Sequence, residues 1–471
     1  MGKSNSSPTK CKAMIDRIEC TADTLTSRGG LSLFVRYLRN IALYPQLKTF
    51  FGSLRKSRKG YPVEEVFKQL FCFFLDGTSR HLTYFDHLAG DEGYAAAIET
   101  RPSEMVSSHA VKRFFGAFTP QRTYLFRHLL QRLFLWRLQV EKPDLIVLGI
   151  DAMFMDNDEA EVRHGVKPSH KGMKGFQPLQ MTWRGYVIDA VFRGGNVHSN
   201  RGRTVEKMVR YVVGRIRRHY RRDVPIVIRM DSGFFDHKLF EVLEELEVGY
   251  ISGGKLYEPI KGLAEQSLSL PSVWGRYEEG RQVWEYLEFG TRCHTWKRFR
   301  RAVFCRPLYE DRQQLLVFAR PETVLITNLG MGYGIDSALT GAGYGELLKS
   351  DQIVAVYHGR GRDELVHRAL KDFGFEQMPF KRFIPNAAFY YTMLVAFFLY
   401  EAFKSDVCAP VVDIACYATT LRRKVIDIAA KIVRHSGKII LKVAVSTFRA
   451  LKLKELWQRS GDPPKYCWSP G

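Results

Sequence analysis

From about residue 25 to 140, apolar residues return every third or fourth position with Lys and Arg between them. The stretches "GLSLFVRYLRNIALY", "PVEEVFKQLFCFFL" and "RTYLFRHLLQRLFLWRLQ" carry this spacing, which predicts amphipathic helices. Within them "SEMVSSHAVKRFFGAF" offers Ser107 and Ser108 as N-caps of a helix bearing His109, Lys112 and Arg113. That helix fits the second helix of a helix-turn-helix, and it fits any other capped amphipathic helix equally well. At Asp144 the period changes. "LIVLGIDAMFM" is a continuous apolar run with a polar end, and "FQPLQMTW", "RG", "YVIDAVF" predicts a hairpin with a two-residue turn. Helical spacing resumes from about Thr204 to Arg218, followed by the strand "VPIVIRM", the helix "HKLFEVLEELE" and the strand "GYISGG". A βαβ unit of this kind is expected to be parallel and right-handed.

Three meandering strands followed by two strands with helical crossovers is the strand plan of an RNase H-like α/β fold. From about Leu256 to Gly345 the pattern becomes strand-like and aromatic again ("VWEYLEF", "AVFCRPLY", "QLLVFA", "VLITNL") and reads as a β-rich insertion. After Gly345 the expectation is helix to roughly Leu453, including a basic region, "LRRKVIDIAAKIVRHSGKIILK".

Charge narrows the partner. The chain has 71 Lys and Arg against 49 Asp and Glu, a formal +22 spread along its length, so a polyanion is the first expectation. Eight cysteines show no CxxC pairing, which supports neither a zinc site nor a disulfide framework and fits a reducing cytoplasm. The start "MGKSNSSPTK" matches the loose myristoylation pattern, but a short polar basic start is read as a disordered tail. "AAFYYTMLVAFFLY" is shorter than the roughly 20 residues that a membrane span needs and reads as a buried helix.

Asp151 closes the first core strand and Asp231 closes the fourth, in "VIRMDSGF". Side chains at the carboxyl ends of strands converge on a crevice in an open α/β sheet. Two aspartates there repel one another and are stabilised as ligands of a hard divalent cation such as Mg²⁺ or Mn²⁺. Each also has a plainer reading, Asp151 as an edge residue and Asp231 as a cap in "DSG". Read as one helix at roughly 100° per residue, "YHGRGRDELVHRALKDF" places Tyr357, Arg360 and Lys371 within about 40° of Glu364. That stripe is a solvated face or the wall of a site. Two-metal phosphoryl transfer needs a third carboxylate, and Glu364 is the natural candidate.

These residues resemble a family: the bacterial insertion-sequence DDE transposases whose third motif is Tyr, two residues, Arg, three residues, Glu, six residues, Lys. Tyr357, Arg360, Glu364 and Lys371 reproduce that spacing, and "LGID", "KGFQPLQ", "RMDSGF" and "TNLG" stand in the family's order, so the resemblance covers roughly Asp144 to Phe380. It implies that Asp151, Asp231 and Glu364 are a catalytic triad binding two Mg²⁺ or Mn²⁺ ions, with Tyr357, Arg360 and Lys371 gripping a transposon end. The implied partners are terminal inverted repeats and target DNA, bound by a homodimer in a synaptic complex in the cytoplasm, at the nucleoid. Ala152 and Met153, where relatives often have Ser or Thr, and Leu365, where they often have a polar residue, are departures. The expected organisation is a disordered basic tail (1–24), a helical DNA-binding domain (25–140) in which Lys112 and Arg113 contact DNA, an RNase H-like catalytic core (141–255 and 346–400), a β-rich insertion (256–345) and a basic helical C-terminal region (401–471).

Trp274, Trp284 and Trp296 lie in the insertion among Arg292, Lys297, Arg298, Arg300 and Arg301, a composition that suits unpaired nucleic acid. Related transposases stack a flipped base on an aromatic of this insertion while closing a DNA hairpin. Each Trp is also what a small β core uses. Asp156, Asp158 and Glu159 read as a solvated loop rather than a metal cluster. His164 and His170 read as phosphate or solvent contacts, and Cys293 with His294 as neighbours on opposite strand faces. Two other functions remain open: a metal-dependent nuclease of the same fold, and a transposase-derived repressor without catalysis.

Overall fold

The structure is a computed structural model and describes residues 15–465, apart from 16, 55–59, 161, 170–171, 198–200, 256, 268–269, 280–281, 295 and 309–321. The strand "QLLVFA", His170 and most of the basic tail lie outside the described residues.

A nine-stranded mixed sheet organises the chain. In sequence its strands are β1 (Ile146–Ala152), β2 (Leu179–Trp183), β3 (Tyr186–Val191), β4 (Ile226–Met230), β5 (Gly249–Gly253), β6 (Trp274–Glu279), β7 (Gln282–Thr291), β8 (Arg300–Leu308) and β9 (Thr323–Thr327). Their order across the sheet is β3-β2-β1-β4-β5-β9-β8-β7-β6. β1 is antiparallel to β2, and β4 runs parallel to both β1 and β5. The β2–β3 hairpin turns at Arg184 and Gly185, with Arg184 in the left-handed region at φ 53°. The insertion is an extension of the same sheet, because β9 pairs antiparallel with β5.

Helices cover both faces. α1 (Pro120–Glu141) begins with Pro at its first turn and Thr119 accepting from the Arg122 amide, which satisfies an otherwise orphaned donor. It is fixed to β3 by a bidentate Arg127–Asp189 pair at 2.7 and 2.5 Å. α2 (Thr204–His219) and α3 (His237–Glu245) make the crossovers to β4 and β5. α4 (Ser350–His358) and α5 (Gly361–Phe373) precede α6 (Phe383–Phe403). With its extension to Cys408, α6 is long and apolar enough to cross a membrane, yet it is almost wholly enclosed by protein.

The sheet separates two apolar clusters. Ile146, Leu148, Ile150, Ile226, Ile228 and Met230 join the larger one with α1, α2 and α6. Val227, Ile251, Val303 and Leu325 face the other way, under Ile353 and Val354 of α4. Successive strand residues alternate faces, so Val147, Gly149 and Asp151 share a side with Val227, Arg229 and Asp231. That side is the one α4 covers.

Two helical expectations are corrected. The stretch from Tyr357 to Phe373 is two helices, interrupted at Gly359 and Arg360; glycine carries a large entropic cost in a helix interior, and here two glycines flank Arg360. The C-terminal region contains a hairpin, β10 (Ala430–His435) and β11 (Lys438–Val443), turned by Ser436 and Gly437 at φ 49° and 73°. Two consecutive positive φ values suit a two-residue hairpin turn, and the Ile-rich strands favour extended backbone.

Candidate active site

Ile150 and Met230 are register partners in the parallel β1–β4 pair, so the next residues, Asp151 and Asp231, leave neighbouring strand ends side by side on the α4 face. Burial raises the affinity of both carboxyls for protons, and the charge of Asp151 raises that of Asp231 further. Asp231 is aimed by its own backbone, because its side chain accepts from the Gly233 amide at 2.9 Å. Asp151 accepts from the Ala152 amide at 2.7 Å.

Arg360 closes the crevice from the junction of α4 and α5. Its guanidinium stands 3.7 Å from Asp151 and 3.3 Å from Glu364, bridging the first and third sequence candidates. Burial opposes its charge, but Asp151, Tyr357, Asp231 and Glu364 together raise its pKa. Tyr357, at the end of α4, lies over β5. A Cβ on Gly253 would sit 2.7 Å from the Tyr357 hydroxyl and 2.9 Å from the Ser232 amide, so only glycine lets the ring and the Asp231 turn come so close. Arg229, on the same strand as Asp231, donates to the Val356 carbonyl at 3.1 Å and ties β4 to α4.

Glu364 stands differently. Its side chain is 64% exposed and held by Arg360. Lys371 pairs with Glu376 at 2.8 Å, and Glu376 also accepts from the Asp156 amide at 3.3 Å, so this lysine is anchored to the segment after β1. Asp156 is exposed on a short strand, Met155–Asp156, paired with Gly175 and Phe176, and Asp158 and Glu159 are exposed on the 3-10 turn that follows, where the sequence suggested a loop. Asp151 and Asp231 form an all-oxygen donor pair suited to a hard divalent cation. Among the described residues no three His, Cys, Asp or Glu side chains stand close enough to hold a metal ion together; Glu364 would have to turn inward to add a third carboxylate.

His367 is a site residue that sequence reading passed over. It follows Glu364 by one helical turn, its Nδ1 lies 3.9 Å from Asp151 Oδ2, and its Nε2 is buried with no hydrogen-bond partner. Burial, with Lys371 and Arg360 nearby, pushes its pKa down to about 4. It is therefore neutral at ordinary pH. A lone histidine on an amphipathic helix gave no signal; only the fold brings it to Asp151. Gly253 was equally silent.

The remaining candidates lie elsewhere. Lys112 and Arg113 are exposed on the helix Ser108–Gly116, which Ser107 caps by accepting from the Ala110 amide. Trp284 and Trp296 are 2% and 5% exposed. The ring of Trp284 lies against His358 with centroids 4.0 Å apart, and that of Trp296 lies under Arg300 at 4.8 Å. Both are therefore core rings, withdrawn from the expected stacking surface by burial. Trp274 is half-buried, donates to the Ser267 carbonyl at 2.9 Å and carries Arg306 over its ring at 4.3 Å.

Comparison with known proteins gives a family. The family model described as Transposase DDE domain group 1 matches residues 12–459. No curated protein matches the chain. Among solved structures, a cryo-EM structure of the piggyBac transposase synaptic complex with hairpin DNA is similar, at 13% identity and a TM-score of 0.39, over 96% of this chain and 89% of that one.

Proposed function

The chain belongs to the family Transposase DDE domain group 1, and from that premise we propose that it cuts the ends of a mobile DNA element and joins the freed 3′ ends to target DNA. The observation that carries this reading is the strand register that sets Asp151 beside Asp231, with the proton affinity of Asp231 raised by its neighbour. The five strands β3-β2-β1-β4-β5 are read as an RNase H-like core, and the chain as akin to the bacterial insertion-sequence transposases with the Tyr-Arg-Glu-Lys motif.

Asp151 and Asp231 would hold Mg²⁺ or Mn²⁺, and Glu364 would complete the set. Bound there, a divalent cation supplies charge that polarises a phosphodiester and favours loss of a proton from the attacking hydroxyl. Arg360 has a second task. It neutralises Asp151 and Glu364 until phosphate oxygens take it over, which frees both carboxylates. Tyr357 fixes the start of α5 against β5, and Lys371 places positive charge on the same helix. His367, neutral and enclosed, accepts or donates a hydrogen bond beside Asp151 without adding charge.

The test is incubation of purified protein with Mg²⁺ and DNA carrying the inverted repeats that flank its gene. Nicked ends and joined products are expected from wild type and from neither Asp151→Asn nor Asp231→Asn. Sequence-specific binding without any cleavage would identify a repressor instead, and cleavage without joining a nuclease.

A further inference from the structure

A cationic segment free of acidic residues lies late in the chain, after the proposed active-site residues. Between Asp427 and Glu455 there is no acidic residue, while seven Lys and Arg occupy the interval. The structure folds it as β10, β11 and the short helix Val445–Ala450. Of these cations Lys431 is paired with Asp23 at 2.8 Å. Arg434, Lys438, Lys442 and Arg449 have no carboxylate partner among the described residues, and all four are exposed. A solubilising surface would mix signs; this one does not.

The geometry is that of a projecting ribbon. The strand Thr24–Thr26 pairs with β10 only from Ala430 to Ile432, so Val433 to His435 and their partners on β11 run free. Three residues per strand span about 10 Å, comparable with the depth of the DNA major groove, about 8.5 Å, which admits a two-stranded β-ribbon. Register partners share a face. Lys431 faces Lys442, Val433 faces Ile440, and His435 faces Lys438, placing lysines on either side of an apolar pair. On the other face Arg434 stands beside Ile439. Ile439 is 63% exposed and Ile440 39%, although apolar side chains at a free tip gain nothing from water.

We propose that this hairpin is a duplex-reading ribbon: the face bearing Lys431, Lys438 and Lys442 turns to a major groove, its lysines contact the flanking phosphates, and Ile440 meets a thymine methyl on the groove floor. The inference rests on the DNA-end reading above and assigns part of end recognition to the C-terminal region. Phosphate contacts supply affinity, whereas apolar contacts to base edges supply preference. The two kinds of residue should therefore fail in different ways.

The experiment measures binding of the full-length protein to a labelled terminal-repeat duplex and to a scrambled duplex, across a range of KCl concentrations. Thermal melts and sedimentation accompany each variant. For Lys438→Ala/Lys442→Ala the slope of log K against log[salt] should fall by about 0.9 for each contact removed, and both duplexes should be weakened alike. For the isoleucine variant Ile440→Ser the slope should stay at wild type, while discrimination between the duplexes should fall about tenfold or more, the scale of one mismatched base pair, and Ile439→Ser on the opposite face should keep wild-type discrimination. Wild-type slope in stable Lys438→Ala/Lys442→Ala and wild-type discrimination in stable Ile440→Ser would overturn the proposal and leave the DNA-end reading standing. Failure of wild type to bind either duplex would overturn that reading as well. A shift from dimer to monomer in the isoleucine variant with unchanged DNA binding would assign the ribbon to a second copy of the chain and also overturn the proposal.

Discussion

The proposed triad contains two kinds of carboxylate. Asp151 and Asp231 are carried by parallel strands whose register leaves little freedom, each turned into its place by a backbone amide, and both are largely enclosed. Glu364 is carried by a helix that begins after a break at Gly359 and Arg360, and its side chain is mostly in water. Beneath α5 lies a cavity of about 860 Å³, lined by Val147 and Arg229 of the sheet, Leu365, Val366 and Ala369 of α5, and Glu401 of α6. Strand pairing thus presets one half of the site. The helix-borne half is held to it by a side-chain contact, Arg360 reaching both Asp151 and Glu364.

Disturbing the preset half should cost most. Asp189 is fully buried and its charge is compensated by Arg127. Arg127→Met leaves a buried carboxylate unpaired and should lower stability by about 3–5 kcal/mol, read as a lower midpoint in urea. Arg360→Met, at the helix-borne half, should cost less than Arg127→Met, because Glu364 is exposed and the enclosed partner Asp151 stands 3.7 Å away, against 2.5 Å in the Arg127–Asp189 pair. Equal losses from the two variants would remove the contrast.

Gly253→Ala comes next. The added methyl would meet the Tyr357 hydroxyl and the Ser232 amide, and overpacking of this kind costs about 1–3 kcal/mol. Cleavage should fall more steeply than stability, because the displaced elements carry Asp231 and Arg360. Gly262→Ala, inside the helix Glu258–Gln266 where a Cβ meets nothing within 4 Å, is the control and should leave cleavage unchanged while raising stability by about 0.5–1 kcal/mol.

A smaller effect concerns pH. Burial raises the pKa of Glu401 to about 7, against the opposing pull of Lys404. A carboxyl with a folded pKa above its unfolded value contributes stability that is full below about pH 4.5 and is lost as pH rises through about 7. Glu401→Gln should flatten the fall in melting temperature between pH 5 and pH 8. An unchanged slope would mean that the floor of the cavity is wetter than its geometry implies.

The strand-borne half was legible in sequence for the same reason that it is rigid. Continuous apolar runs ending in Asp151 and Asp231, and the two-residue turn at Arg184 and Gly185, are local signals, and strand order followed from the crossover rule. The signal for the break before α5 was also present, in Gly359 and Gly361, but a helical stripe drawn through Tyr357 and Lys371 overrode it. Ser436 and Gly437 likewise marked a hairpin inside a segment taken for helix. The joining of β6–β9 to β5, and the approach of His367 to Asp151, depend on contacts between distant segments, which periodicity cannot report. Burial of Trp284 by its strand partners and His358, and of Trp296 by Phe235, Phe240 and Arg300, depends on such contacts in the same way.

If the two halves act separately, the two aspartates bind a cation before Glu364 takes part. The direct measurement is calorimetric titration of Mn²⁺ into the protein without DNA, for wild type, Asp151→Asn, Asp231→Asn and Glu364→Gln. Mn²⁺ binding should be lost in both aspartate variants and retained within about threefold in Glu364→Gln, which should nonetheless fail to cleave. Loss of Mn²⁺ binding in Glu364→Gln as complete as in the aspartate variants would contradict that order.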